Sequence, residues 1–180
     1  MRDASRVVRP LRAAEVPACA AIVARTPLFA SYGLSAASVA RQLEAALDDP
    51  RSALLVVAAE GEPPLGVAWF VERGAFDRSG YLRLIAVAPE RTRGGLGRAL
   101  VAALEQRYLA RGGIVLLAAH GNELAHRFYE RLGYGHVGDL PAYVGSGLHE
   151  RIYFKPQTAV PVAVIAPPCA RSREASGLAL

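Results

Sequence analysis

Val87-Ala88-Pro89-Glu90-Arg91-Thr92-Arg93-Gly94-Gly95-Leu96-Gly97-Arg98-Ala99-Leu100 is the stretch on which the fold turns. It reads as the end of a strand, a tight glycine-rich loop and the start of a helix. The run before it, Tyr81-Leu82-Arg83-Leu84-Ile85-Ala86-Val87, is apolar, β-rich and short enough for a buried strand. After it, Leu96, Leu100, Ala103, Leu104 and Tyr108 recur at helical spacing with one face inward. Gly94, Gly95 and Gly97 fall where strand becomes helix, where the missing Cβ lets a ligand approach the backbone. The first turn of a helix carries unpaired N–H groups and the positive end of the dipole, and such a place binds phosphate. Arg93 and Arg98 add side-chain charge beside it.

Three familiar phosphate loops do not fit. A Walker loop needs Gly-Lys-Ser/Thr, and here Arg98 follows Gly97. A dinucleotide fingerprint opened by Gly95 needs glycine where Leu100 stands. The kinase loop has that same spacing between two strands, whereas a long helix follows here.

The rest of the chain bounds the class. Its 180 residues suffice for one domain with a sizeable core, and 52% of them are hydrophobic. No apolar run reaches a membrane span, and no signal-peptide core follows Met1-Arg2-Asp3-Ala4-Ser5-Arg6. Cys19 and Cys169 give neither metal-ligand spacing nor a disulfide framework, so no metal site and a reducing, cytoplasmic setting are expected. The net charge of +5 rests on arginines dispersed through every segment, with Lys155 the only lysine. That pattern speaks against a nucleic-acid partner and for a field that attracts a polyanionic cofactor.

In chain order, Arg6–Arg12 reads as an edge strand, Ala14–Ala24 as a helix, and Thr26–Gly33 as a loop. Leu28, Phe29 and Tyr32 in that loop either cap the core or line a substrate pocket. Ser35 is a candidate N-cap for a helix carrying Val39, Leu43 and Leu47. Ala53–Ala59 and Leu65–Glu72 form a hairpin, Arg73–Ser79 a loop, and Ile114–Ala119 a buried strand parallel to Tyr81–Val87. A helix then follows Asn122, with Leu124, Phe128 and Leu132 expected inward and Gly133 as its stop. Tyr134–Val137 is a short strand, Gly138–Leu148 a loop, and His149–Lys155 the last strand. These elements predict an α/β (α+β) fold: a mixed, twisted central sheet of six to seven strands flanked by about four helices. Residues 1–156 make one domain, and residues 157–180 read as a largely unpacked tail.

Two stretches together, Arg93-Gly94-Gly95-Leu96-Gly97 and Asn122-x-x-Ala125-x-x-Phe128-Tyr129-Glu130-x-x-Gly133-Tyr134, resemble the two signature regions of the GCN5-related N-acetyltransferase (GNAT) family. The resemblance covers residues 5–156. It departs at Thr92, where the family usually has Gln or Arg three residues before its G-x-G; the backbone donors do not depend on that side chain.

The resemblance implies acetyl-CoA as cosubstrate and direct attack by a primary amine of a small molecule or peptide in a ternary complex. The fourth and fifth strands are then expected to splay, with the pantetheine arm paired to the fourth strand at Ile85, Ala86 and Val87. Amides there polarise the thioester carbonyl. Pyrophosphate falls to Arg93, Gly94, Gly95, Leu96, Gly97 and Arg98. Asn122 contacts pantetheine or simply caps its helix. Tyr129, which also contacts the cofactor, donates to the departing sulfur, or merely packs beside Phe128. For a general base, Tyr81-Leu82-Arg83-Leu84 offers no carboxylate. His120 and Glu72 are the candidates, alongside a water relay or surface roles. The acceptor is expected to touch Leu28–Tyr32, Arg73–Arg78 and the Gly138–Leu148 segment with Tyr143. The competing reading is a non-catalytic acyl-CoA-binding sensor or partner module. A monomer or homodimer with no membrane partner completes the expectation.

Overall fold

The computed structural model describes residues 6–92 and 94–157. Arg93 and the tail residues 158–180 lie outside the described residues.

Seven strands form one sheet in the order β1-β2-β3-β4-β5-β7-β6. They are β1 (Arg6–Pro10), β2 (Ser52–Ala59), β3 (Gly66–Ala75), β4 (Ser79–Val87), β5 (Ile114–Ala119), β6 (Gly135–Gly145) and β7 (Leu148–Lys155). Five helices are α1 (Val16–Ala24), α2 (Pro27–Ser31), α3 (Ala36–Leu47), α4 (Leu96–Tyr108) and α5 (Glu123–Arg131). β1 to β4 run as an antiparallel meander. The 13-residue α4 then carries the chain over to β5, which pairs with β4 in parallel. Among the described residues, no helix is long and apolar enough to cross a membrane.

The two faces are covered separately. Val16, Cys19 and Val23 of α1 and Val39 and Leu43 of α3 pack on Leu54, Val56, Val67 and Ala86. On the other face, Leu96, Leu100 and Leu104 of α4 and Tyr129 of α5 pack on Leu55, Val57, Ala68, Leu82, Leu116 and Tyr153. Each buried Leu or Val contributes about 1.5–3 kcal/mol, which makes these two clusters the main stabilising terms.

Several expectations change in detail. Residues 27–31, read as loop, form α2, because Pro27 at its first turn fixes φ and Thr26 supplies the extended residue before it. The 73–79 loop is a turn of three residues, since β3 runs on to Ala75 and β4 begins at Ser79. The 138–148 segment is mostly strand: β6 spans Gly135–Gly145 and turns at Ser146-Gly147 into β7. Its glycines and Pro141 disguised it, but β6 is the outer strand, where an imino nitrogen costs no ladder bond. On α5 the inward residues are His126 and Tyr129, while Leu124 is 75% exposed and Phe128 and Leu132 are half-buried. Phe128 and Leu132 do pack against the core, so the apolar stripe errs at Leu124, and it passes over His126, whose ring is buried because both nitrogens have partners.

Candidate active site

The parallel ladder between β4 and β5 holds Gly80↔Ile114, Tyr81↔Val115 and Leu82↔Leu116, and goes no further. Its end coincides with a β-bulge. Trp69 of β3 faces Leu84 and Phe70 faces Leu82, so Arg83 is the extra residue. Its guanidinium lies over the Trp69 ring, 4.7 Å from the centroid. Past the bulge, Ile85, Ala86 and Val87 pair with β3 on one side only. β5 continues through Leu117 to Ala119 against β7 alone. The two parallel strands thus make a fork, with open main-chain edges on its inner walls. An extended chain of amides can add to such an edge.

The open edge of β4 runs into the glycine loop. Gly95, at φ 73°, is the residue before α4 and needs the left-handed region that glycine adopts without a Cβ clash. It turns the first amides of α4 outward at the mouth of the fork. An ideal Cβ on Gly97 would stand 3.5 Å from Phe128 Cζ and 3.9 Å from Val87 Cγ2, between the end of β4 and α5. The bare glycine therefore leaves room between the two walls. Arg98 is exposed in the first turn of α4. A recess of about 320 Å³ opens on the side of the loop that faces β1, lined by Arg6, Glu90, Arg91, Thr92 and Gly94.

The opposite wall is the start of α5. Ala119 at the end of β5 accepts from the Asn122 amide at 2.8 Å, and its carbonyl lies 2.9 Å from His126 Nε2. His126 Nδ1 lies 3.1 Å from Arg151 Nη1. A neutral ring donating from Nε2 and accepting at Nδ1 satisfies both bonds. Asn122 caps α5 through Oδ1, which accepts from the Ala125 amide at 3.1 Å. The cap uses the oxygen, so the side-chain NH₂ stays available as a donor.

Tyr129 is 6% exposed and sits among Phe128, Tyr134 and Tyr153, with ring centroids 5.1, 5.7 and 6.2 Å away. Burial, with a smaller contribution from the Tyr81 phenol, holds its hydroxyl protonated well above the ordinary range for a phenol. The cluster accounts for its packing, and the hydroxyl is a neutral donor at any physiological pH.

The two base candidates lie apart from one another. His120 is exposed just past β5, where its amide donates to the His149 carbonyl at 2.9 Å. Glu72 pairs with Arg111 at 3.2 Å, at the end of the sheet where β4 begins, while the fork opens at the other end. A carboxylate that sequence reading missed lies in the same half of the molecule as the fork. Glu150 of β7, opposite Ala119 of β5, is 3% exposed and accepts a hydrogen bond from the Tyr32 hydroxyl. Burial raises its carboxyl above the ordinary carboxylate range, against the opposing effect of that bond. In sequence, Glu150 sits in the polar run His149-Glu150-Arg151, where nothing local marks it as buried. Its partner Tyr32, just past α2, comes from 118 positions earlier in the chain.

The family model for the acetyltransferase (GNAT) family matches residues 22–134. The chain belongs to that family. Among solved structures it is similar to an acetyltransferase from Thermus thermophilus, at 19% identity and TM-score 0.71, over 87% of this chain and 99% of that one. It is also similar to the ribosomal-protein-S18-alanine N-acetyltransferase from Escherichia coli, at 21% identity and TM-score 0.65, over 89% and 99% of the two chains. A third similar structure is an aminoglycoside 6'-N-acetyltransferase complexed with coenzyme A, at 18% identity and TM-score 0.71, over 86% and 99%. At these identities the likeness speaks for the fold. No curated protein sequence matches the chain.

Proposed function

We propose that the chain is an N-acetyltransferase that moves the acetyl group of acetyl-CoA to a primary amine of a small molecule or peptide, by direct attack in a ternary complex. The observation that carries this reading is the fork: an open β4 edge that leads into a glycine-lined helix start, in a chain of the GNAT family. The similar structure that holds coenzyme A supports the choice of cosubstrate.

The residues fit such a ligand. The amides and carbonyls of Ile85 and Val87, which alternate with those of Ala86 facing β3, can pair with an amide-bearing arm as a strand would. The amides of Gly95 to Arg98, with the Arg98 side chain, can hold a diphosphate at the positive end of α4, whereas the Gly94 amide already donates to the Arg91 carbonyl at 3.1 Å, and Arg93 belongs to this set by sequence. The Asn122 NH₂ donates to the arm from the α5 side. A β4 amide aimed at the thioester oxygen stabilises charge that develops there during attack. Tyr129 supplies a proton to the departing sulfur. Reference values of about 10 for a phenol and about 8.5 for a thiol put full ground-state transfer about 2 kcal/mol uphill, and burial adds to that. The proton therefore moves as the C–S bond breaks, not before.

Calorimetric titration with acetyl-CoA, followed by thiol release with n-butylamine, spermidine, an alanine-terminated peptide and an aminoglycoside, tests the reading. Binding with thiol release and amide formation supports it. Binding without turnover on any amine favours an acyl-CoA-binding module, and no binding refutes both.

A further inference from the structure

We infer that Glu150, held by the Tyr32 hydroxyl on the face of the sheet opposite Tyr129, is the group that takes the proton from the incoming ammonium of the acceptor. This rests on the acetyltransferase reading and names the base that β4 does not supply.

The placement is set by β7. Arg151 and Tyr153 reach α5, at His126 Nδ1 and at Glu130 Oε1 (3.1 and 3.3 Å). Glu150, one position earlier, bonds Tyr32 just past α2, so it projects from the other face. In β5 its partner is Ala119, three residues beyond the last rung shared with β4. Tyr129 and Glu150 therefore lie on opposite faces of the sheet where the strands part. Tyr81, at the last rungs before the fork, is within electrostatic reach of both. A thioester lying in the fork would have the proton donor for its sulfur on one face and a carboxylate for the attacking nitrogen on the other.

The surroundings favour a working carboxylate over a structural one. Among the described residues, the one side-chain hydrogen bond to Glu150 comes from Tyr32, and no Lys or Arg pairs with it. A buried carboxylate without a cation opposes folding, and such groups collect where chemistry needs them. Its cover is light. Tyr32 is half-buried at the end of a five-residue helix with no fully buried residue, so little packing is lost when that turn lifts for an acceptor. Of the ionisable groups, Tyr32 bonds it and Tyr81 of β4 lies within electrostatic reach of it, Arg83 and Tyr143 act in turn on Tyr81, His149 precedes it in β7, and His120 follows its β5 partner Ala119.

The step balances. The Glu150 carboxylate takes one proton from R–NH₃⁺ and becomes the acid, which later returns that proton to water. The neutral amine attacks, the C–N bond forms and the C–S bond breaks. Tyr129 gives its hydroxyl proton to the sulfur, and the second proton lost from nitrogen restores Tyr129. An alkylammonium with pKa about 10.4 is neutral in only about one molecule per thousand near pH 7.4, so a base is worth up to about 10³-fold there.

The test compares wild type, Glu150→Gln and Tyr32→Phe, using kcat/KM from pH 5 to 10 with whichever amine of the panel above is acetylated fastest, plus calorimetry with coenzyme A. Glu150→Gln is expected to bind coenzyme A within about threefold of wild type. It should lose about 10²- to 10³-fold in kcat/KM at pH 7.4, with the deficit closing toward pH 10 as the free amine becomes abundant. Tyr32→Phe removes a bond that stabilises the carboxylate, so its acidic limb should move to higher pH. An unchanged limb in Tyr32→Phe, or a Glu150→Gln deficit that does not vary with pH, would overturn the assignment while leaving the acetyltransferase reading intact. Wild type that neither binds coenzyme A nor releases thiol would overturn that reading, and the base with it.

Discussion

Gly97→Ala should make the protein more stable and a poorer binder of coenzyme A. Gly97 is the second residue of α4, and its φ lies outside the left-handed region, so alanine adopts its backbone without strain. The added methyl would meet Phe128 Cζ at 3.5 Å and Val87 Cγ2 at 3.9 Å, which are ordinary contacts. Replacing glycine by alanine in a helix gains about 0.5–1 kcal/mol, or about 1–4 °C in Tm for a domain of this size. The same methyl occupies the mouth of the fork, where the diphosphate is to meet the α4 amides. Loss of one or two charge-assisted bonds there costs about 2–3 kcal/mol, or roughly 30- to 150-fold in Kd. Differential scanning calorimetry and isothermal titration on the same sample read the two effects. Gly95→Ala is the contrasting control. At φ 73° alanine is strained, so Tm should fall. A Gly97→Ala protein with higher Tm and unchanged affinity for coenzyme A would refute the placement of the diphosphate.

Three further outcomes are expected. Tyr129→Phe keeps the aromatic cluster and should lower kcat about 10²-fold with coenzyme A affinity within about threefold, read by thiol release and calorimetry; unchanged kcat would remove Tyr129 from the chemistry. Phe76, 89% exposed at φ 55° in the β3–β4 turn, buries little and strains its backbone. Phe76→Asn should therefore raise Tm by about 2–4 °C, and a fall would show an unseen role for the ring. Glu15 is held down to about 2 by its hydrogen bond to Arg9, so this pair stabilises the fold above the ordinary carboxylate value of 4.5 and ceases to as pH falls toward 2. Glu15→Gln should cost about 1 kcal/mol in urea unfolding at pH 7 and much less at pH 2, where the carboxyl is about half protonated, and an equal loss at both would exclude the ion pair as the cause.

The parts of this molecule legible in the sequence are those whose determinants are local. The strand–glycine–helix junction at Val87–Leu100 is one, because left-handed backbone and helix entry are written in adjacent residues. Ser35 is another: its hydroxyl accepts from the Ser38 amide at 3.1 Å, as an N-cap must. Where a partner lies far away in the chain, the sequence misleads. The start of β6 is legible, but its part from Gly138 on looks like loop because its stability comes from pairing with β7 along a strand that includes three glycines and a proline. On α5 the apolar stripe holds at Phe128 and Leu132 but not at Leu124, and it passes over buried His126, held between Ala119 and Arg151.

The same contrast explains why the binding half of the proposed site was readable and the proton-accepting half was not. Diphosphate and pantetheine are to be held by backbone, at a bend whose glycines Gly94, Gly95 and Gly97 stand together in the sequence. Proton transfer needs a side chain whose environment is assembled from remote segments. Glu150 becomes a candidate only because Tyr32 arrives from α2, 118 positions earlier, and because Ala119 marks how far β5 has travelled past its last rung with β4. Glu72 shows the converse. It ends a predicted strand and carries the right chemistry, yet the β3–β4 register sends it to the far end of the sheet, where Arg111 pairs with it. A carboxylate's distance from the fork is thus decided by register, and register in a mixed sheet is a property of the assembled chain.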